Sequence, residues 1–166
     1  MKIKIILCLF TIFAIQACGI YSFTGGDTGD AKSFQVNFFQ NNAPIVEPGI
    51  DRNFTLALQD LIQNQTNLEL TNTNGDLIYE GEITGFAIAP MSANADQRAS
   101  QNRLTVTINT RFTNKLKEED DFEKRFSFYY DYPASQQLTG AILDTAMEEV
   151  YERITQDIFN ASLAKW

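Results

Sequence analysis

Ionisable and nucleophilic side chains set the chemistry this 166-residue chain can attempt: 21 carboxylates, 13 lysines and arginines, two cysteines and no histidine. Without imidazole there is no Ser-His-Asp or Cys-His pair, no base poised near neutral pH and no His-containing zinc or haem site. Carboxylates remain. Glu80 and Glu82 share a face of one predicted strand; glycosidase pairs flank a cleft, so solvent-facing alternation explains these two. The run Glu118 to Asp121 lacks the spaced Asp-x-Asp-x-Asn-Gly of an EF-hand and reads as a solvated turn. No metal or cofactor is expected. A formal charge of −8 also argues against nucleic acid as a partner, because nonspecific binding there needs clustered Lys and Arg.

Cysteine is the remaining reactive group, and its position is informative. Lys2 and Lys4 precede the apolar run Ile5 to Ile15, too short to span a bilayer as a helix, which predicts a secretory signal over residues 1–17. Ile15, Gln16, Ala17 and Cys18 then give an aliphatic residue at −3, a small residue at −1 and a cysteine. This resembles the bacterial lipobox, which implies diacylation of the Cys18 thiol and cleavage before it. Cys8 would leave with the signal, so Cys18 has no intramolecular partner. Cleavage leaves 149 residues with 11 cations against 21 carboxylates, a side-chain charge of −10. Gly19, where an Asp would suggest inner-membrane retention, points to the outer membrane, and the lack of an acidic run after Cys18 to the periplasmic leaflet. Residues 18–32, with Gly25, Gly26 and Gly29, form the lipidated start and a flexible tether.

The elements that must carry any site follow from periodicity. Phe34, Val36 and Phe38 alternate with polar residues and predict a strand over 33–39 buried on one face. Phe54, Ala57, Leu58, Leu61 and Ile62 predict an amphipathic helix over 51–65. A short strand at 67–71 and the pair Asn74-Gly75 predict a tight hairpin turn. Strands are predicted over 77–89, 103–114 and 122–132, with Gly81 and Gly85 marking a bulge or close packing. Phe126, Phe128, Tyr130 and Tyr132 share the core face, Tyr129 the opposite one. A final helix is predicted over 135–163, about 45 Å long. With 44% apolar residues, 33–166 is expected to be one α+β domain, a two-layer sandwich. Its four- to five-stranded mixed or antiparallel sheet would carry both helices on one face.

These features together resemble a known family. A lipobox cysteine followed by Gly19-Ile20-Tyr21-Ser22-Phe23, the strand-helix-meander-helix order and the strand ending Phe128-Tyr129-Tyr130-Asp131-Tyr132-Pro133 are similar to the LptE-like lipopolysaccharide-assembly lipoproteins. The resemblance implies an outer-membrane lipoprotein without catalytic activity. It would plug and help assemble a large LptD-like β-barrel and bind lipopolysaccharide. Seven of the 11 cations of the cleaved chain lie between Arg98 and Arg125. Arg103, Arg111, Lys115, Lys117, Lys124 and Arg125 are the candidates for lipopolysaccharide phosphates, if a hairpin gathers them on one sheet face and its tip. Local pairing with Glu118, Glu119, Asp120, Asp121 and Glu123 is the competing explanation. Tyr129 is the candidate contact with the barrel wall. The alternative function is a periplasmic ligand-binding or enzyme-inhibitor lipoprotein that inserts a loop such as Met91 to Asn102.

Overall fold

The computed structural model describes residues 26–45, 47–92 and 99–164. The expected signal, Cys18 and Arg98 lie outside them, as does the middle of the expected loop 91–102, whose two flanks are strand. Among the described residues the elements run in order β1 (Ser33–Val36), β2 (Gln40–Asn41), α1 (Ile50–Gln65), β3 (Glu69–Leu70), β4 (Leu77–Ser92), β5 (Ala99–Asn114), a 3-10 turn (Glu118–Asp120), β6 (Phe122–Pro133) and α2 (Ala141–Leu163). The sheet runs β3-β1-β4-β5-β6, with β2 also paired to β4. β1 is parallel to β3 and β4, while β4, β5 and β6 form an antiparallel meander. The architecture is thus the predicted α+β sandwich with a mixed sheet.

Alternation decides which face is buried. Phe34, Val36, Leu77, Tyr79, Ile83, Leu104, Val106, Ile108, Phe112 and Phe126 are buried. They meet Phe54, Leu58 and Ile62 of α1 and Ala146, Val150, Ile154 and Ile158 of α2, the near-four-residue stripes. Phe39 and Phe54 pack edge to face at 5.1 Å. The Tyr79 hydroxyl lies 3.0 Å from Ser162 Oγ, satisfying a polar group that burial would otherwise penalise. Burial pushes the Tyr79 phenol well above its ordinary pKa.

Three local expectations change. First, 33–39 is not one strand. Val36 pairs with Tyr79 and Gln40 with Glu82, so three residues oppose two, and the extra residue buckles the chain. Phe39 turns into the core and Phe38, expected on the buried face, is 56% exposed. Second, Asn74-Gly75 makes no hairpin. β1 lies between β3 and β4, and the connecting loop crosses its outer side so closely that a Cβ on Gly75 would sit 2.8 Å from the Gln35 nitrogen. Only Asn74 of that pair has positive φ, 59°. Third, the last helix begins six residues later than predicted. Gly140 takes φ 55° and ψ −134°, a conformation that stops the helical run, and the preceding residues turn. Its 23 residues span about 34 Å, so it stays within the sheet.

Asp76 fastens the start of β1. Its Oδ2 accepts hydrogen bonds from Lys32 N (2.9 Å), Ser33 N (3.0 Å) and Ser33 Oγ (3.0 Å). The Lys32 backbone bond foremost, then that from the Ser33 hydroxyl, holds its carboxyl below the ordinary 3.8. A depressed folded-state pKa contributes stability above the unfolded value that disappears as pH falls through the folded one. Asp76→Asn is therefore expected to lower the melting temperature at pH 7 and to flatten the loss of stability below pH ~4. Thermal melts across pH 2–7 check this; an unchanged acid limb would contradict it.

Candidate functional site

The outer face of the sheet, away from the helices, carries the polar half of each alternating strand. From β5 come Arg103, Thr105, Thr107, Asn109 and Arg111; opposite them β6 sets Asp131, Tyr129, Ser127, Arg125 and Glu123. Arg103 grips Asp131 through two bonds of 2.7 Å, Nε to Oδ1 and Nη2 to Oδ2. The hydrogen bond from Arg103 lowers the Asp131 carboxyl. The same guanidinium carbon lies 3.6 Å from the centre of the Tyr129 ring. Tyr129 is thus half-exposed, with one ring face covered by Arg103.

The six candidate cations do not form one cluster. Eight residues of strand separate Arg103 from Arg111, about 27 Å. Arg111 pairs with Glu123 at 3.0 Å and Glu80 at 3.4 Å, and Lys117 with Glu119 at 3.0 Å and Asp120 at 3.6 Å. Local ion pairing thus accounts for three of the six. Lys124 projects from the opposite face, 5.1 Å from the Phe126 ring centre, because its even position follows Phe126 and Phe128. Gathering on one sheet face therefore fails on strand parity. Lys115 donates to Asn74 Oδ1 (2.9 Å) and Arg125 to Asn109 Oδ1 (3.4 Å). Among the described residues Lys115, Lys124 and Arg125 form no ion pair within 4 Å, although the charge of Lys115 acts on the Asp76 carboxylate.

The N-terminal chain joins the end of the domain that bears the β5–β6 turn. Asp27 N donates to the Leu163 carbonyl, and a Cβ on Gly26 would strike Leu163. Asp27, Asp30, Asn114, Leu116, Lys117 and Leu163 line one groove there. Leu77 pairs with Asn114 at this end, whereas Ser92 pairs with Ala99 at the other; the sheet between them measures about 50 Å.

Sequence reasoning did not foresee a second concavity, on the outer face over Gly81. It has a volume of about 340 Å³ and is lined by Asn37, Phe38, Gln40, Glu80, Glu82 and Arg111 among others. The consecutive aromatics Phe38 and Phe39 were the available signal, since two apolar neighbours break strict alternation.

Among the described residues no group of three Cys, Asp or Glu side chains could hold a metal ion. No helix there is long and apolar enough to cross a membrane. The class of protein so defined is a two-layer α+β sandwich whose sheet has a polar, ion-paired outer face, is buttressed by two helices and is entered by its N-terminal chain at one end. Within that class the chain belongs to the LptE family, described as lipopolysaccharide-assembly, which matches residues 31–162.

Solved structures share the fold at low identity. The hypothetical protein CT253 from Chlamydia trachomatis is 7% identical with a TM-score of 0.55, covering 81% of this chain and all of that one. PelC from Paraburkholderia phytofirmans, solved as a dodecamer, is 6% identical with a TM-score of 0.50, over 84% of this chain and 95% of that one. Rare lipoprotein B from Shewanella oneidensis is 12% identical with a TM-score of 0.46, over 76% and 89%. No curated protein matches the chain.

Proposed function

We propose that this chain is an outer-membrane lipoprotein of the lipopolysaccharide translocon. Acylated Cys18 holds it in the periplasmic leaflet, and its domain plugs a large LptD-like β-barrel, assists that barrel's assembly and binds lipopolysaccharide in transit. The observation that carries this reading is the family match across nearly the whole folded domain. A polar, Thr- and Asn-rich outer face suits a water-filled lumen, and half-exposed Tyr129 is the aromatic there for contact with the barrel wall. The eight residue-to-residue steps from Cys18 to Gly26 reach at most ~28 Å. The anchor therefore keeps the Leu116 end close to the membrane and directs the Ser92–Ala99 end of the sheet away from it.

Lipopolysaccharide phosphates call for cations free of carboxylates. Of the six candidates Lys124 and Arg125 meet that condition, whereas Arg103, Arg111 and Lys117 are committed to ion pairs and the charge of Lys115 acts on the Asp76 carboxylate. Lys124→Glu combined with Arg125→Glu is expected to weaken lipopolysaccharide capture roughly tenfold. Arg103→Gln serves as the control and leaves capture in place. Capture on immobilised lipopolysaccharide, with circular dichroism to confirm folding, makes the comparison. Capture unchanged in the double variant would overturn the assignment of these cations.

A further inference from the structure

The bulge between β1 and β2 builds a cavity that the glycolipid cations do not use. Because residues 37–39 oppose only two residues of β4, Phe39 plugs the core over Gly81 while Phe38 stands out at the rim, 56% exposed. Between them and β5 opens the 340 Å³ groove. We propose that this groove is a saccharide site, taking a pyranose ring that carries no anionic group and favouring an amino sugar.

Three observations carry the assignment. The first is the chemistry of the lining. Carboxylates of Glu80 and Glu82, side-chain amides of Asn37, Gln40 and Asn109, and the Arg111 guanidinium interleave acceptors with donors, as a ring of vicinal hydroxyls requires. The second is that these groups hold one another in place. Gln35 Nε2 donates to Asn37 Oδ1 at 2.7 Å and Asn37 Nδ2 to Glu80 Oε2 at 3.1 Å; Arg111 bridges Glu80 and Glu123; Arg125 holds Asn109 at 3.4 Å. Side chains already fixed lose less freedom when a ligand arrives. The third is Phe38, whose exposed ring offers an apolar plane beside this polar floor, matching the C–H face of a sugar.

Charge narrows the ligand further. Glu80, Glu82 and Glu123 against Arg111 give the lining a net charge of −2, so a phosphate or carboxylate substituent is repelled and an amine attracted. The site is thus distinct in kind from the Lys124 and Arg125 cations, and stands or falls without them. A single sugar ring in so open a groove should bind with Kd of about 1 mM.

Saturation-transfer NMR on the full chain, in a detergent without a sugar headgroup, tests this with glucosamine, glucose and glucose 6-phosphate. Transfer is expected to glucosamine and glucose, strongest to glucosamine, and not to glucose 6-phosphate. Phe38→Ala and Asn37→Ala are each expected to reduce transfer at least fivefold, whereas Arg103→Gln leaves it unchanged. Phe38 lies at the surface, so its truncation preserves the fold even if Asn37→Ala does not. Absence of transfer to every sugar, transfer that survives Phe38→Ala, or a preference for glucose 6-phosphate would overturn the proposal.

Discussion

Gly81→Ala is expected to bring the domain close to unfolding. A Cβ at this position would lie against the Asn109 carbonyl oxygen and 2.7 Å from Phe39 Cε1. Neither neighbour can yield cheaply. Asn109 belongs to the β5 ladder that pairs with both β4 and β6. Phe39 is fully buried against Phe54. Ordinary overpacking costs 1–3 kcal/mol, and a clash with backbone on one side and a locked ring on the other raises this to about 4 kcal/mol. That is a large part of the ~5–15 kcal/mol available to a domain. Gly85→Ala makes the contrast, since its Cβ would meet the Thr107 side chain at 3.1–3.2 Å, a crowding that a shift of a few tenths of an ångström relieves; about 1 kcal/mol is expected there. Urea midpoints of the two variants decide the matter, and equal losses would contradict this account of the packing.

That contrast also shows what the sequence reveals and what it hides. The two glycines in a strand pattern mark a disturbed site on sight, and the structure separates them into close packing at Gly81 and a register shift next to Gly85. The stripes Phe54-Leu58-Ile62 and Val150-Ile154-Ile158 are legible because helical burial is written in local spacing. The insertion of β1 between β3 and β4 is not, because parallel pairing is fixed by distant residues and no turn signal announces it. Asn74-Gly75 has the composition of a hairpin turn, yet burying Phe34 and Val36 demands an interior place for β1 and pulls the two flanking strands apart. The same limit applies to the sites. Arg111 and Lys124 are close in sequence terms, but strand parity sends them to opposite faces, and only the register shows that Arg103 answers Asp131. Glu80 read as a solvated residue; its place beside Asn37 follows from a bulge that a single unpaired aromatic hints at.

Cys18→Ala, behind a leader cut by the general signal peptidase so that export continues, is expected to lose firm membrane attachment. Each buried methylene adds about 0.8 kcal/mol, and two or three acyl chains together hold a protein that one chain would hold only reversibly. No described helix offers a spanning substitute. Carbonate-washed membranes should retain the unaltered chain and release the variant into the soluble fraction. A variant still retained after the wash would refute the anchor.

Membership of the lipopolysaccharide-assembly family and an N-terminal chain that enters at one end of the sheet underlie the central proposal, that the domain works inside a barrel partner. Affinity recovery of the tagged chain from detergent-solubilised outer membrane tests it most directly. The account predicts that a large β-barrel subunit comes with it in near-equal amount and persists through washing; recovery of the chain with no such subunit would contradict it.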